Sequence, residues 1–261
     1  MIVERLWVGN RLRNFQYLVA CEETGDALAI DPIDYRSCLR VARARGFSVT
    51  QVLNTHEHAD HIGGNQQVVA ETGAQVIAHS AAKIPRVDRR VGAGDVVRVG
   101  KTVELECLDT PGHTMSHVCL LAHGSEAALF SGDALFNAGA GNCRNGGQPE
   151  ALYATFAQQF DRLGAAVRVY PGHDYLVSNL RFTLDREPQN TAAGAMLQAV
   201  AGKDGDRGPV LTLGDEKQIN TFFRLQSEGV IEGLRRAFDG LPAALTAKHV
   251  FLLLRELRNS W

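Results

Sequence analysis

Four side chains of metal-ligating type, His56, His58, Asp60 and His61, fall within six consecutive positions, directly after the apolar run Val49-Thr50-Gln51-Val52-Leu53. Three further apolar runs end in a similar way. Leu105 to Leu108 leads into Thr110-Pro111-Gly112-His113, Ala128-Leu129-Phe130 into Ser131-Gly132-Asp133, and Val167 to Tyr170 into Pro171-Gly172-His173. Each time an apolar strand stops, a glycine or small residue turns the chain, and a His or Asp stands at the rim. A fold that carries these four strand ends to one edge gathers five imidazoles and two carboxylates there. Few chain paths satisfy that requirement.

The spacing suits cations. In an extended segment alternate side chains share a face, so His56 and His58 point the same way. Together they can grip one ion at about 2.0–2.1 Å. A helix expected from near Ile62 then redirects Asp60 and His61 toward a neighbouring point. A catalytic tetrahedral site keeps one position open, so four donors this dense fit two ions better than one. An isolated histidine in a soluble protein is more often a surface or hydrogen-bonded core residue, and His79, His117, His123 and His249 are read that way.

Along the chain, short apolar runs alternate with glycine and polar loops up to about Tyr175, the pattern of strands interleaved with helices. Strands are expected over 15–20, 27–30, 49–53, 76–78, 96–99, 103–108, 118–122, 127–130 and 167–170. Helices are expected over 35–45, 62–72 and 150–163. Beyond Tyr175 the apolar period changes to three and four, predicting helices over 190–200, 215–226 and 245–257, with 202–209 as a mobile loop. This divides the chain into an α/β body, 1–175, and a helical C-terminal domain, 176–261.

Composition excludes several classes. With 45% hydrophobic and 21% charged residues over 261 positions, the chain supports a substantial core and is not a disordered protein. Its 27 basic and 29 acidic residues give a net charge of −2, which argues against a nucleic-acid protein held by a basic face. The apolar run Val250 to Leu254 is closed by Arg255, far short of the roughly 20 residues that a membrane span needs. Met1 to Leu6 offer no apolar run of signal-peptide length. The five cysteines form no Cys-x-x-Cys pair, the usage of buried thiols in a reducing compartment. A cytoplasmic protein without nucleic-acid or membrane partners is expected.

The order His56-x-His58-x-Asp60-His61, then His113, Asp133 and His173, resembles the metallo-β-lactamase superfamily. The flanking stretches resemble glyoxalase II, the hydroxyacylglutathione hydrolases. These are 54–65, 110–113, 131–136 and 171–175 continuing to Asn179-Leu180, with Asn220-Thr221-Phe222-Phe223-Arg224 in the tail. The resemblance implies an αβ/βα sandwich of two sheets flanked by helices, with a C-terminal helical domain. It implies His56, His58 and His113 on one divalent ion and Asp60, His61 and His173 on a second, with Asp133 bridging. Imidazole with carboxylate suits zinc first, with iron or manganese also accommodated. Two such ions about 3.5–4 Å apart lower the pKa of a shared water toward about 7, supplying a bridging hydroxide beside a thioester carbonyl. Asp60 would ligate and also orient that hydroxide. The chain lacks the Gly-x-Ser-x-Gly nucleophile elbow of a serine hydrolase.

The implied substrate is a small thioester, S-2-hydroxyacylglutathione or a related acyl-thiol. Tyr175 matches a tyrosine that contacts the glutathione chain in the family. The loop after Asp133 departs from the family pattern: Ala140 stands where a cysteine is usual, and Asn142-Cys143-Arg144 replaces a basic–aromatic segment. Asn142 and Arg144 are the candidate carrier contacts, and coenzyme A stays open beside glutathione. Lys248, Arg255 and Arg258 could meet a substrate carboxylate, although a solvated helix face is the plainer reading. A second function fits the same text: a mononuclear iron persulfide dioxygenase of the superfamily, its iron on His56, His113 and Asp133.

Overall fold

Two sheets face each other in the computed structural model, which describes all 261 residues. The first has the order β1 (Ile2–Trp7), β2 (Phe15–Ala20), β3 (Asp26–Ile30), β4 (Ser48–Asn54), β5 (Gln75–His79) and β6 (Arg89–Val91). The second has the order β13 (Arg168–Pro171), β10 (Ala128–Gly132), β9 (Val118–Ala122), β8 (Val103–Asp109) and β7 (Val96–Val99). A short hairpin, β11 (Leu135–Phe136) with β12 (Gly139–Ala140), stands apart.

Period-two alternation assigns each strand's side chains to two cores. In β4, Leu53 joins Tyr17, Ile77, Leu105 and Phe130 between the sheets, while Val52 turns outward to Leu39 and Val68. In β10, Phe130 faces inward and Leu129 packs outward with Phe156 and Phe251. The outward face of the first sheet is covered by α1 (Tyr35–Arg45) and α3 (Asn65–Thr72). Helix α1 starts where Asp34 accepts the Ser37 N–H and stops at Gly46, which is left-handed at φ 72°. Between them lies a single turn, α2 (Ala59–Ile62).

The second sheet's outward face takes α4 (Pro149–Gln158) and the tail helices. These are α5 (Leu176–Arg186), α7 (Leu213–Ile219), α8 (Glu228–Ala237) and α9 (Ala247–Ser260), with α6 (Thr191–Val200) packed on α5 and α7 in a separate cluster. Phe251 of α9 lies 5.3 Å from Phe156 of α4 and 5.1 Å from Phe222, ring centre to ring centre. Aromatic packing of this kind anchors the tail to the body. The order helix, sheet, sheet, helix is the expected αβ/βα sandwich with a helical tail. No helix is long and apolar enough to cross a membrane.

Several boundaries differ from expectation, each for a local reason. The stretch 62–72 is two helices, because Gly63 and Gly64 interrupt it and α2 already begins at Ala59. The helix expected to 163 ends at Gln158 and tightens into a 3₁₀ turn, Phe160–Arg162, which keeps Phe160 buried. The helix expected over 215–226 stops at Ile219. There the Asn220 side chain accepts the Phe222 N–H and donates to the Gly139 carbonyl, competing with the helix ladder. Within 202–209, expected as a loop, a 3₁₀ turn spans Gly205–Arg207, and Arg5 donates to the carbonyls of Gly208 and Pro209. Six strands and helices not expected, β1, β6, β11, β12, α5 and α8, complete the fold.

Candidate metal centre

Strand direction brings the functional residues together. β9 is antiparallel to both β8 and β10, and β10 is parallel to β13, so β8, β10 and β13 all point the same way. Their C-terminal ends deliver His113, Asp133 and His173 to one edge. β4 delivers His56 and His58 from the facing sheet. Asn54, at the end of β4, donates to the His61 carbonyl and exchanges a further bond with Asn65, which fixes the turn between them. Because α2 starts at Ala59, Asp60 and His61 lie inside it and not ahead of a later helix.

All seven expected residues converge. His58 Nδ1 lies 3.0 Å from Nε2 of both His56 and His113. His61 Nε2 lies 3.3 Å from His173 Nε2 and 3.6 Å from Asp60 Oδ2. Asp133 spans the two groups: its Oδ2 is 3.5 Å from His113 Nε2 and 3.1 Å from His173 Nε2, and its Oδ1 is 3.5 Å from His61 Nε2. Asp133 Oδ1 is buried without a hydrogen-bond donor. Gly172 makes the approach possible, since a Cβ there would sit 2.2 Å from that oxygen.

The outer nitrogens decide what the inner ones can do. His58 Nε2 faces the Asn145 carbonyl at 3.1 Å, His113 Nδ1 that of Asn142 at 2.6 Å, and His173 Nδ1 that of Leu12 at 2.7 Å. His61 Nδ1 faces Asp31 Oδ2 at 2.9 Å. His56 Nδ1 faces Thr55 Oγ1, which gives its own proton to Asp31. Carbonyls and carboxylates only accept, so each imidazole carries its proton on the outer nitrogen. Five inner nitrogens therefore face one space, each placed to take a cation instead of a proton. An outward donor to an oxygen acceptor is the usual support of a metal-bound histidine.

Charge fits a cation too. Burial works to raise the Asp133 carboxyl, yet His173 and His61 hold it well below the usual carboxylate range. Burial opposes charge on His61 and His173, but Asp133 pulls both upward, with Asp31 adding to the pull on His61. Burial lowers His56 and His113. The carboxylates thus demand positive charge among neutral imidazole donors, a demand that divalent ions meet.

Residues 20–173 match the family described as Metallo-beta-lactamase superfamily, and residues 174–261 match Hydroxyacylglutathione hydrolase C-terminus. The sequence is 61% identical to a hydroxyacylglutathione hydrolase of Polaromonas sp. strain JS666 and 55% identical to one of Nitrosococcus oceani, each over 100% of both chains. The chain belongs to the hydroxyacylglutathione hydrolase family of the metallo-β-lactamase superfamily. Among solved structures, ETHE1 from Myxococcus xanthus superposes with a TM-score of 0.68 at 26% identity, covering 100% of this chain and 99% of that one. A metallo-β-lactamase from Staphylococcus aureus shares the fold, with a TM-score of 0.67 at 23% identity, covering 98% of this chain and 72% of that one.

In this member of the hydroxyacylglutathione hydrolase family, a cleft of about 400 Å³ is lined by Tyr175, Asn142, Arg144, Arg255 and Arg258. The Tyr175 ring stacks on His173 at 5.0 Å, nearly parallel. The cleft therefore adjoins the histidine cluster. Arg255 is not on a solvated face: it is 3% exposed and donates to the carbonyls of Ala140 and Gly141. Arg144 donates to the Asn259 carbonyl. Arg258 is half-buried, with Phe182 and Trp261 rings on either hand. Lys248 is exposed, His123 and His249 are exposed, and all five cysteines are free and buried.

Asp31, Thr55 and Asn14 are supporting residues not anticipated from the sequence. Asp31 had a readable signal, because it follows the apolar strand Ala27 to Ile30 as the other strand-end residues do. Asn14, whose Nδ2 lies 3.1 Å from Asp60 Oδ2, had none.

Proposed function

We propose that this chain hydrolyses a small thioester, S-2-hydroxyacylglutathione, using two divalent ions. His56, His58 and His113 would hold one, Asp60, His61 and His173 the other, and Asp133 both. The carrying observation is that every histidine of the set turns one ring nitrogen outward onto an oxygen and the other inward to the same space. Zinc suits these donors, and iron or manganese would also fit. Ions bound there polarise a carbonyl and lower the pKa of water toward about 7.

The chain's own groups supply positioning. Asp60 Oδ2, held by Asn14, faces the same space as the lone pairs and accepts a proton from the attacking water. Tyr175 and Arg258 orient the thiol carrier in the cleft, with Asn142 and Arg144 along its loop wall. The body, 1–175, carries the chemistry, and the tail, 176–261, closes the carrier cleft. A thiolate leaves readily, so no general acid is required. The absence of carboxylates among the cleft residues named favours an anionic carrier.

Incubating the metal-replete chain with S-D-lactoylglutathione and following thioester absorbance tests this reading. Rapid loss with wild type and none above background with His58→Ala is the expected result. The persulfide dioxygenase reading needs only His56, His113 and Asp133. The second assembled donor group and the hydrolase relatives at 61% and 55% identity weigh against it. One iron per chain with oxygen uptake on glutathione persulfide would reverse that judgement.

A further inference from the structure

We propose that His117 is a positioning residue of the metal centre, a tautomer-locked imidazole that holds the main chain at Asp133. It lies between β8 and β9, is 1% exposed, and stacks on His56 at 5.3 Å. Its Nε2 is 3.1 Å from the Asp133 amide nitrogen. A backbone amide only donates, so Nε2 must carry the lone pair and Nδ1 the proton. Nδ1 in turn lies 2.8 Å from Thr110 Oγ1.

The remaining directions then follow. Thr110 accepts from His117, which leaves its hydroxyl proton for Cys119 Sγ at 3.2 Å. The Cys119 thiol points to the Ser131 carbonyl at 3.5 Å. Ser131 lies two residues before Asp133, so the path closes on itself: Asp133, His117, Thr110, Cys119, Ser131. All five are buried. Gly132, between the ends of the ring, sits at φ +46°, and a Cβ there would come 2.7 Å from His117 Nε2.

Both nitrogens of His117 are engaged, so it is no ligand although it touches two candidate ligands. Its effect is on the Asp133 main chain, and through it on where the two carboxylate oxygens stand between His113 and His173. In the other tautomer an N–H would meet an N–H, and Asp133 would lose its anchor. Supporting residues behind metal ligands typically control affinity by about 10–100-fold.

This inference rests on the metal reading above, and its test separates the two. The full chain labelled with ¹⁵N-histidine is examined by nitrogen–proton correlation, without metal and with zinc. His117 should show a protonated Nδ1 and a bare Nε2 in both states. Zinc retention against a chelator is then compared. His117→Gln, which keeps an acceptor toward the Asp133 amide, should lie within a few-fold of wild type. His117→Leu should weaken retention about 10–100-fold. Thr110→Val leaves the histidine in place but removes the Nδ1 acceptor; it should shift His117 toward the Nε2–H form and weaken zinc at least tenfold. It also carries the test should the leucine variant not fold. A wild-type His117 protonated on Nε2, or equal zinc retention in all folded variants, overturns this inference alone. A wild-type chain that takes up no zinc overturns both readings.

Discussion

Asp60 stands apart from the other carboxylate of the centre. Asp133 is buried, whereas the Asp60 side chain keeps 25% of its exposure and takes a bond from Asn14. That openness suits a group that handles a proton. Asp60→Asn keeps the shape and the Asn14 contact region but removes the carboxylate that would hold the second ion and take the proton, so kcat should fall about 10²-fold or more with one of the two ions bound more weakly. Metal content by mass spectrometry beside steady-state rates checks it. Asp31 acts differently. Buried at φ +49°, it takes bonds from the Thr55 amide and hydroxyl and from His61 Nδ1. Asp31→Ala would leave these donors unpaired and free the His61 and His56 rings to reorient. Metal affinity should drop about 10–100-fold, measured by chelator competition.

At the scale of elements, the cleft proposed for the carrier is walled by the loop after β12 and by α9. The side chains of Asn142 and Arg144 face the cleft, so replacing both with Ala should raise KM several-fold and leave kcat near wild type. An unchanged KM would remove the carrier from that loop. Trp261 flanks Arg258 at 5.3 Å and donates to Asp185. Trp261→Ala should therefore also raise KM with kcat kept, by releasing a cation that the ring steadies, whereas Trp261→Phe should retain most of the effect.

Nine of the thirteen strands were legible from the sequence as short apolar runs closed by turn residues, and the strand-end rule found all seven converging side chains; β1, β6, β11 and β12 carry no such run. Arg255 was misread because a charged residue at helical spacing looks solvated. Nothing in its neighbours announces that the backbone of Ala140 and Gly141 will fold against it. The helix break at Asn220 was hidden for a similar reason: Phe222 and Ile219 keep a helical spacing while packing into two different cores. Long-range partners of polar groups set these points, and local pattern does not encode them.

Across the whole molecule, Glu216 links tail to body. Fully buried, it accepts bonds from Asn137 Nδ2, the Ala138 amide and Asn220 Nδ2. Burial pushes its carboxyl up to about 7 against these three donors. Between the unfolded value near 4.5 and about 7, the folded chain holds a proton that the unfolded chain has released. This contribution to stability is full at low pH and is lost as pH climbs through that window, on the order of 3 kcal/mol. Wild type should lose more thermal stability than Glu216→Gln on going from pH 5 to pH 8. Parallel melting curves for the two proteins would contradict this.

The histidines at positions 58 and 113 rest their outer nitrogens on main-chain oxygens of residues 145 and 142, in the very loop that lines the cleft beside Tyr175. Changing that loop's side chains leaves those oxygens where they are. Lengthening or shortening it moves them. A new thiol preference can thus be reached by substitution while the ions stay put, but an insertion or deletion there would unseat the ions as it altered the preference.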